Sequence, residues 1–574
     1  MSGSQPTGAG AQSTATDPVD RSPSERVDVC VVGSGPAGSL VAHRLAERGH
    51  EVVVLEAGER FDESDRLERQ ERAIRPAHGP QSVWDMGGER DAYASTGERH
   101  YPLNVARVKG VGGSTLHWQG MVMRLHESDF SGTEAGAATE SGAGTAPAWP
   151  IDYADLRPYY AEAEEALGVA GDADNPFAPP RDGPFPMAGF PPSHSDSIFA
   201  EACERLGVTM HSVPNARNSE PYDGDSACVG YGTCRPVCPS GAKYDATRHV
   251  AKAEEAGVRV VDRAPVQRLE HDGAGETVDA AVYATPDGET HRQEARSFVA
   301  ACGGVETPRL LLLSRSETYP DGLANSSGAV GRYFMDHLFA GTGGVIDRRT
   351  RQNHVGFLTS ECHQFYDDPA AGTDGPEGSV PAADADPSEL GPIKLEFFNY
   401  AGPSPVEQAL GSEQWGDDLL DSLRDSYGNS IAMGGLVGQS PRCENRIGLD
   451  TSTTDDHGNP VPAVHWSLDD RTRRTIERAT EIQERILREL GAEITWQVGP
   501  DSTGPAYHHM GTTRMGTDPQ ESVVTPAGRT HDLSNLWVAG SSTFVTGGAM
   551  NPTLTIAALS LRTAEFLDEE LRQN

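Results

Sequence analysis

At 574 residues, the chain is long enough for two or more domains, and its formal net charge of −38, from 85 acids against 47 bases, makes nucleic acid and anionic membrane poor partners. Only four bases are lysines (Lys109, Lys243, Lys252, Lys394), and the acids are spread along the chain; this favours adaptation to concentrated salt over an acidic partner-binding face. No run of eighteen apolar residues is present to span a bilayer.

Met1 to Arg26 is rich in Ser, Thr, Gly and Pro, without an apolar signal core or a twin arginine, and reads as a loose tail. With no export signal of its own, the chain is expected in the cytoplasm. The β-branched run Val27 to Val32 then predicts a buried strand, broken by the turn Gly33-Ser34-Gly35-Pro36-Ala37-Gly38. Leu40, Val41 and Leu45 recur at helical spacing until Gly49, and a second strand, Glu51 to Leu55, ends at Glu56, eighteen residues after Gly38. Strand, turn, helix, strand and acid in this order predict dinucleotide binding. Gly33 makes the tight turn, Gly35 lets backbone approach a pyrophosphate, and Gly38 lets helix and strand pack. Pro36 and Ala37 open the helix whose free N–H groups face the phosphates, and Glu56 accepts from ribose hydroxyls. The plainer alternative is a glycine-rich turn in an ordinary α/β protein.

Arg107 to Gly120, RVKGVGGSTLHWQG, resembles a segment of the glucose–methanol–choline (GMC) family of FAD oxidoreductases. The resemblance implies that Gly112 and Gly113 let backbone approach FAD, while Ser114 and Thr115 offer it hydrogen bonds. His117 matches the position where several members link FAD covalently; the other reading is a histidine packed beside Trp118. Residues 131–148 read as a surface loop. Trp149 to Gly171 resembles a family helix leading towards the substrate domain, with Asp152 as cap and Tyr160, Ala163, Ala166 and Leu167 on its apolar face.

Cys228, Cys234 and Cys238 place three of the eight cysteines in one Gly- and Pro-rich loop, spaced C-x5-C-x3-C, with Pro239 after the last. Zinc wants a fourth ligand, for which His249 is a distant candidate, and a disulfide leaves one thiol over. A [3Fe-4S] cluster takes one thiolate per iron. The segment, with its following CPSGAKY, is similar to that of a GMC branch of sugar dehydrogenases with an electron-transfer chain. Cys30 and Cys302 sit in apolar runs as small core residues.

Ala246 to Ala256 predicts a helix and Val258 to Glu270 an extended segment, whose Val266 the resemblance brings to the adenine. Ser297 to Cys302 predicts a strand, followed by Gly303-Gly304 and a helix capped by Thr307 with Pro308 in its first turn. GRYFMDH at 331–337 and ENRIGLD at 444–450 also resemble the family. Val464 to Asp470 reads as strand, Thr475 to Leu490 as amphipathic helix, and 368–392 as a mobile insertion. At the C-terminal end, YHHMGT with Met515-Gly516, and GGAMNPTLTIAALSL, match the family's catalytic segments. The match implies His508 as base, His509 as a packing residue, and Asn551, 43 residues on, as the group holding the alcohol oxygen. Gly540, Pro552 and Thr553 are implied cofactor contacts, with the last helix pointing its N-terminus at the flavin.

The resemblance implies an α/β fold with a discontinuous Rossmann-like FAD-binding domain (27–130, 243–330 and 500–574) and an α+β substrate domain carrying an antiparallel sheet (331–499). Residues 131–227 would be linker and substrate-domain elements, and 228–242 the cysteine loop. The implied activity is oxidation of an alcohol group of a sugar or polyol by hydride transfer to FAD. Electrons would leave through the [3Fe-4S] cluster to a cytochrome, quinone or redox partner. A cluster makes little sense in an enzyme that hands both electrons to oxygen, which favours a dehydrogenase. The alternatives are an alcohol or choline-type oxidase or dehydrogenase with a structural cysteine loop, and a non-catalytic carrier that kept the fold. Relatives in the branch act with a small companion subunit that can carry the export signal, so membrane association or export stays open.

Overall fold

The computed structural model describes residues 20–62, 64–73, 80–132, 148–350, 356–399 and 405–573. Val29, Cys30 and Val31 are fully buried, as a strand covered on both faces must be. Val27–Val32 pairs in parallel with Val52–Leu55 on one side and with Thr290–Ala300 on the other, in the registers Val29↔Val52 and Val29↔Ser297. Arg259–Val261 extends the sheet past Val52–Leu55, and Leu536–Val538 joins it beside Thr290–Ala300. At 11 residues, Thr290–Ala300 is long enough to serve two layers. Its C-terminal half lies in the parallel sheet, and its N-terminal half pairs antiparallel with Val278–Ala284, which pairs in turn with Val266–His271. The helix Pro36–Glu47 packs against Thr247–Glu255 and against the C-terminal helix Thr553–Gln573.

A second, antiparallel sheet runs in the order Glu493–Val498, Leu338–Val345, Ser430–Val437, Ile393–Phe398, Leu358–Cys362, His211–Ser212. The helix Asp470–Glu489 covers it, burying Ile476, Ala479, Ile482 and Ile486 at the 3–4 spacing that brings side chains to one helix face. Ile393, Leu395 and Phe397 belong to the core on that side. By strand alternation Lys394 and Glu396 project the opposite way, towards the site described below.

Several local expectations change. The extended stretch Val258 to Glu270 is two strands, because Arg263 takes a left-handed φ of 49° and Pro265 has no N–H to give a ladder. The helix expected to be capped by Thr307 is capped by Cys302 and starts at Gly303, so Thr307 and Pro308 lie inside Gly303–Leu313. Thr307 instead caps backwards, its hydroxyl accepting from the Cys302 N–H at 3.1 Å. Pro308 cannot bond the Gly304 carbonyl one turn earlier; the Thr512 hydroxyl donates to that oxygen at 2.7 Å instead. Residues 20–26 of the expected loose tail are pinned, with Arg21 buried and bonded to both the carbonyl and the carboxylate of Asp262; the earlier tail lies outside the described residues. The 368–392 segment is likewise tied down, since Arg478 donates to the carbonyls of Pro369, Ala371 and Pro381. Most of the 131–148 loop lies outside the described residues. Asp152 caps Tyr153–Leu167 through the Asp155 N–H. No helix among the described residues is long and apolar enough to cross a membrane.

Candidate active site

A cavity of about 800 Å³ runs from the glycine turn to His508 and Asn551. Gly33, Gly35, Pro36, Ala37 and Glu56 line one stretch of it; Gly113, Ser114, Thr115, His117, Val266 and Gly303 line another; Gly540, Pro552 and Thr553 complete it beside Asn551. Gly38 and Gly112 stand behind the wall. A Cβ on Gly38 would lie 1.9 Å from the Gly33 carbonyl oxygen, whereas one on Gly35 would meet nothing within 4 Å. The first glycine is needed for packing, and the second leaves the helix N-terminus open to a ligand. Glu56 is buried and fixed: the Ser34 N–H and hydroxyl donate to one oxygen at 2.9 and 2.7 Å, and the Gly58 N–H donates to the other at 2.9 Å. Thr115 departs from its expected part, because its hydroxyl donates to the Gly112 carbonyl and accepts from the Ala246 N–H. It shapes the loop rather than offering a donor to the cavity.

At the far end, hydrogen bonding decides the protonation pattern. The Gly547 carbonyl can only accept, so His337 Nε2, 3.0 Å away, carries the proton and its Nδ1 is bare. His508 Nδ1 lies 2.9 Å from that bare nitrogen and must donate to it. His508 Nε2 is therefore bare and faces Asn551 Nδ2 at 3.4 Å. The amide cannot be the other way round, because the Lys394 ammonium, only a donor, lies 2.7 Å from Asn551 Oδ1. Lys394 also bonds Glu396 at 2.7 Å and lies 3.6 Å from Glu361, all three side chains being buried. Asp336 accepts from the His508 backbone N–H at 2.8 Å and from the Tyr101 hydroxyl. Desolvation, then the neighbouring His337 ring and the Lys394 charge, hold His508 well below the usual histidine range, so it is neutral near pH 7. His509 packs against Tyr101 and Phe334 and lines the cavity.

Of this constellation, His337, Asp336, Lys394, Glu361, Glu396 and Tyr101 were not singled out in the sequence. The signal for Lys394 was there: a lysine inside the apolar strand sequence IKLEFF has no solvent to reach.

Burial also makes the fold acid-sensitive. Burial brings His211 and His337 down to about 4 and His249 to about 3. The unfolded histidines take up protons near pH 6.5 and the folded ones do not until pH 4 or lower, so stability is lost as pH falls through that window. Asp336, pushed up to about 7 by burial, acts in the opposite sense and offsets about one of them. Each such buried neutral ring contributes a loss of roughly 1.4 kcal/mol per pH unit across that window. The urea midpoint is expected to be clearly lower at pH 5 than at pH 7 at fixed salt; equal midpoints would contradict these buried neutral rings.

Family models described as GMC oxidoreductase match residues 31–339 and 441–560, most of the chain. The chain belongs to the GMC oxidoreductase family. It is 33% identical to the fructose dehydrogenase large subunit of Gluconobacter japonicus, over 95% of this chain and 98% of that one. It is 30% identical to 2-methyl-1,2-propanediol dehydrogenase of Mycolicibacterium austroafricanum, over 95% of each chain. Pyridoxine 4-oxidase from Mesorbium loti has the same fold, with a TM-score of 0.61 at 18% identity over 94% of this chain and 98% of that one. As a GMC oxidoreductase the protein is an FAD enzyme acting on CH–OH groups. Its cavity fits that cofactor. Besides the open helix N-terminus, His117 Nδ1, His509 Nε2 and two Arg107 nitrogens are buried in the wall with no protein partner, as polar atoms awaiting a polar ligand would be.

The cysteine loop of this GMC oxidoreductase holds three unbridged thiols, Cys234 buried and Cys228 and Cys238 half-buried. His249 bonds the Tyr244 hydroxyl at 2.8 Å inside its helix, and so does not serve as a fourth ligand here. Among the described residues, no three His, Cys, Asp or Glu side chains are gathered so as to hold a metal ion. The buried Lys243 ammonium ties this loop to the cavity wall, donating to the carbonyls of Trp118 at 2.6 Å and Cys234 at 3.0 Å.

Proposed function

We propose that this GMC oxidoreductase is a dehydrogenase that oxidises an alcohol group of a sugar or polyol and passes the electrons to a redox partner rather than to oxygen. The observation that carries the reading is the bare His508 Nε2 facing the Asn551 amide N–H on the cavity wall. When bound, FAD accepts the hydride leaving the substrate carbon. His508 Nε2 takes the hydroxyl proton, and Asn551 Nδ2 donates to the alcohol oxygen as negative charge develops there. His337 keeps the base in the correct tautomer, and Lys394 keeps the amide N–H turned to the substrate. Gly33, Gly35, Pro36, Ala37 and Glu56 would hold the pyrophosphate and ribose, Val266 the adenine, and Gly113 and Ser114 with Gly303, Gly540, Pro552 and Thr553 the rest of the cofactor. His117 is buried, lowered to about 3 by desolvation, then Arg235 and Lys243, and has a free Nδ1; this supports it as the point of covalent FAD attachment.

Cys228, Cys234 and Cys238 would hold a [3Fe-4S] cluster, which when bound supplies single-electron transfer. A cytochrome, a quinone or a small redox protein would be the acceptor. The likeness to a protein named as a large subunit supports a small companion subunit. The deciding experiment is iron, sulfide and flavin analysis with EPR on protein purified anaerobically in high salt. About three irons per flavin are expected, with the yellow colour kept in the acid-precipitated pellet. Flavin without iron, together with rapid peroxide formation from an alcohol and oxygen, would replace this reading by an oxidase.

A further inference from the structure

Two buried carboxyl groups face each other across the second sheet. Glu361 in Leu358–Cys362 and Glu396 in Ile393–Phe398 are direct partners in the ladder. They share one ammonium, Lys394 Nζ, which lies 2.7 Å from Glu396 Oε1 and 3.6 Å from Glu361 Oε2. Asn551 lines the cavity, whereas these three side chains stand behind its wall, so their charges are balanced within the protein and not by a bound ligand.

The histidines beside Glu361 supply no second positive charge. Asn175 Oδ1 accepts from the Phe177 N–H at 2.9 Å, so its Nδ2 donates to His363 Nδ1 at 3.0 Å. With that nitrogen bare, the His363 ring is neutral and donates from Nε2 to Glu361 Oε1 at 3.0 Å. His211 spends its one proton, on Nδ1, on the Ser212 carbonyl and accepts the His363 backbone N–H at Nε2. Farther out, His126 is paired with Asp367, and Asp174 is bonded to Ser212, so neither adds net positive charge. Among the described residues, nothing donates a hydrogen bond to Glu361 Oε2. Fully ionised, the set would hold two carboxylates against one ammonium, a net negative charge out of reach of water. One added proton removes it. Glu361 is the carboxyl that takes the proton, because the ammonium sits closer to Glu396 and burial pushes Glu361 above the usual carboxylate range.

We propose that Glu361 is kept as a neutral carboxylic acid in the working enzyme and is a positioning residue, whose ionisation draws Lys394 off Asn551 and sets the alkaline limit of the reaction. The inference rests on the alcohol-oxidising reading above and adds a residue that acts on that site through two others. While Glu361 keeps its proton, Lys394 Nζ stays 2.7 Å from Asn551 Oδ1, and the amide N–H faces the alcohol oxygen. When Glu361 gives its proton to solvent, the second carboxylate competes for the ammonium. The amide then loses the contact that fixes its orientation.

The test uses the full-length, flavin-loaded protein with a panel of neutral hexoses and polyols, and follows anaerobic flavin bleaching from about pH 7 to about pH 10. The wild-type rate is expected to fall about 10-fold or more over that range, and the E361Q rate by less than about 2-fold. E396Q, which leaves the ammonium a single carboxylate, should flatten the profile too, and it stands in if E361Q does not fold. Infrared spectra at about pH 7 supply a second readout. Wild type minus E361Q should show the band of a protonated carboxyl group; Asp336, pushed up to about 7, is common to both proteins and cancels. A flat wild-type profile, an alkaline fall that survives in E361Q, or a difference spectrum without that band overturns the inference alone. A wild-type flavin that none of these alcohols bleaches at any pH overturns the alcohol-oxidising reading, and the positioning role falls with it.

Discussion

Replacing His508 by alanine is expected to slow substrate-driven flavin reduction by on the order of 10²- to 10⁴-fold while FAD stays bound. The size follows from the task. An alcohol hydroxyl is a very weak acid, and hydride leaves its carbon readily only as the proton departs. His508 Nε2 is the nitrogen left bare by the chain from the Gly547 carbonyl through His337, and it is neutral near pH 7 because it is desolvated beside other cationic or potentially cationic groups. Its fixed tautomer means that no ring rearrangement precedes proton transfer. The measurement is stopped-flow flavin absorbance without oxygen, with flavin content as the control for folding. Reduction at near-wild-type rate would remove His508 as the base. Partial rescue of the alanine variant by added imidazole would tie the loss to proton transfer rather than to packing.

The second large effect is expected at Lys394. Lys394→Met removes the donor that fixes Asn551 Oδ1 and leaves Glu361 and Glu396, cross-strand partners in the antiparallel sheet, facing each other without a cation. Breaking such a buried set from one side costs roughly 3–5 kcal/mol of stability. The freed amide can also flip and turn its oxygen to the alcohol, so flavin reduction should fall by roughly 10- to 100-fold. The two effects separate in the double variant Lys394→Met with Glu396→Met. Replacing a buried ion pair by apolar groups of similar size can recover stability, but nothing in the double variant reorients Asn551. Recovered thermal stability with a persistently slow flavin step is the expected pattern. A rate that recovers along with stability would make Lys394 a structural residue only.

The parts of the site legible in the sequence are those carried by local backbone chemistry. The turn at Gly33 to Gly38 announces itself because Gly33 and Gly38 make approaches that only glycine tolerates, and His508 and Asn551 lie in segments whose neighbours repeat a family pattern. The helix capped by Cys302 is expected five residues later because Thr307 and Pro308 are ordinary start signals. What overrode them is tertiary: Thr512, far along the chain, bonds the carbonyl that Pro308 cannot reach. His337 lay inside a recognised segment, yet its part in setting the His508 tautomer depends on a meeting of residues 171 apart, which no periodicity reports. Lys394 is half legible. The lysine within IKLEFF signals a buried charge, but only the folded sheet reveals that Glu361, Glu396 and Asn551 receive it.

The position of Leu536–Val538 in the first sheet has a bearing on biogenesis. This strand pairs with Thr290–Ala300, and the helix Thr553–Gln573 packs on Pro36–Glu47, so the earliest and latest parts of the chain interlock. During synthesis the N-terminal glycine turn emerges long before the residues that close the cavity around it. A nascent chain therefore exposes an incomplete nucleotide cradle until the last segments leave the ribosome, and its slow, long-range strand pairing must wait for them. The complete cradle is accordingly expected only once those residues have been made.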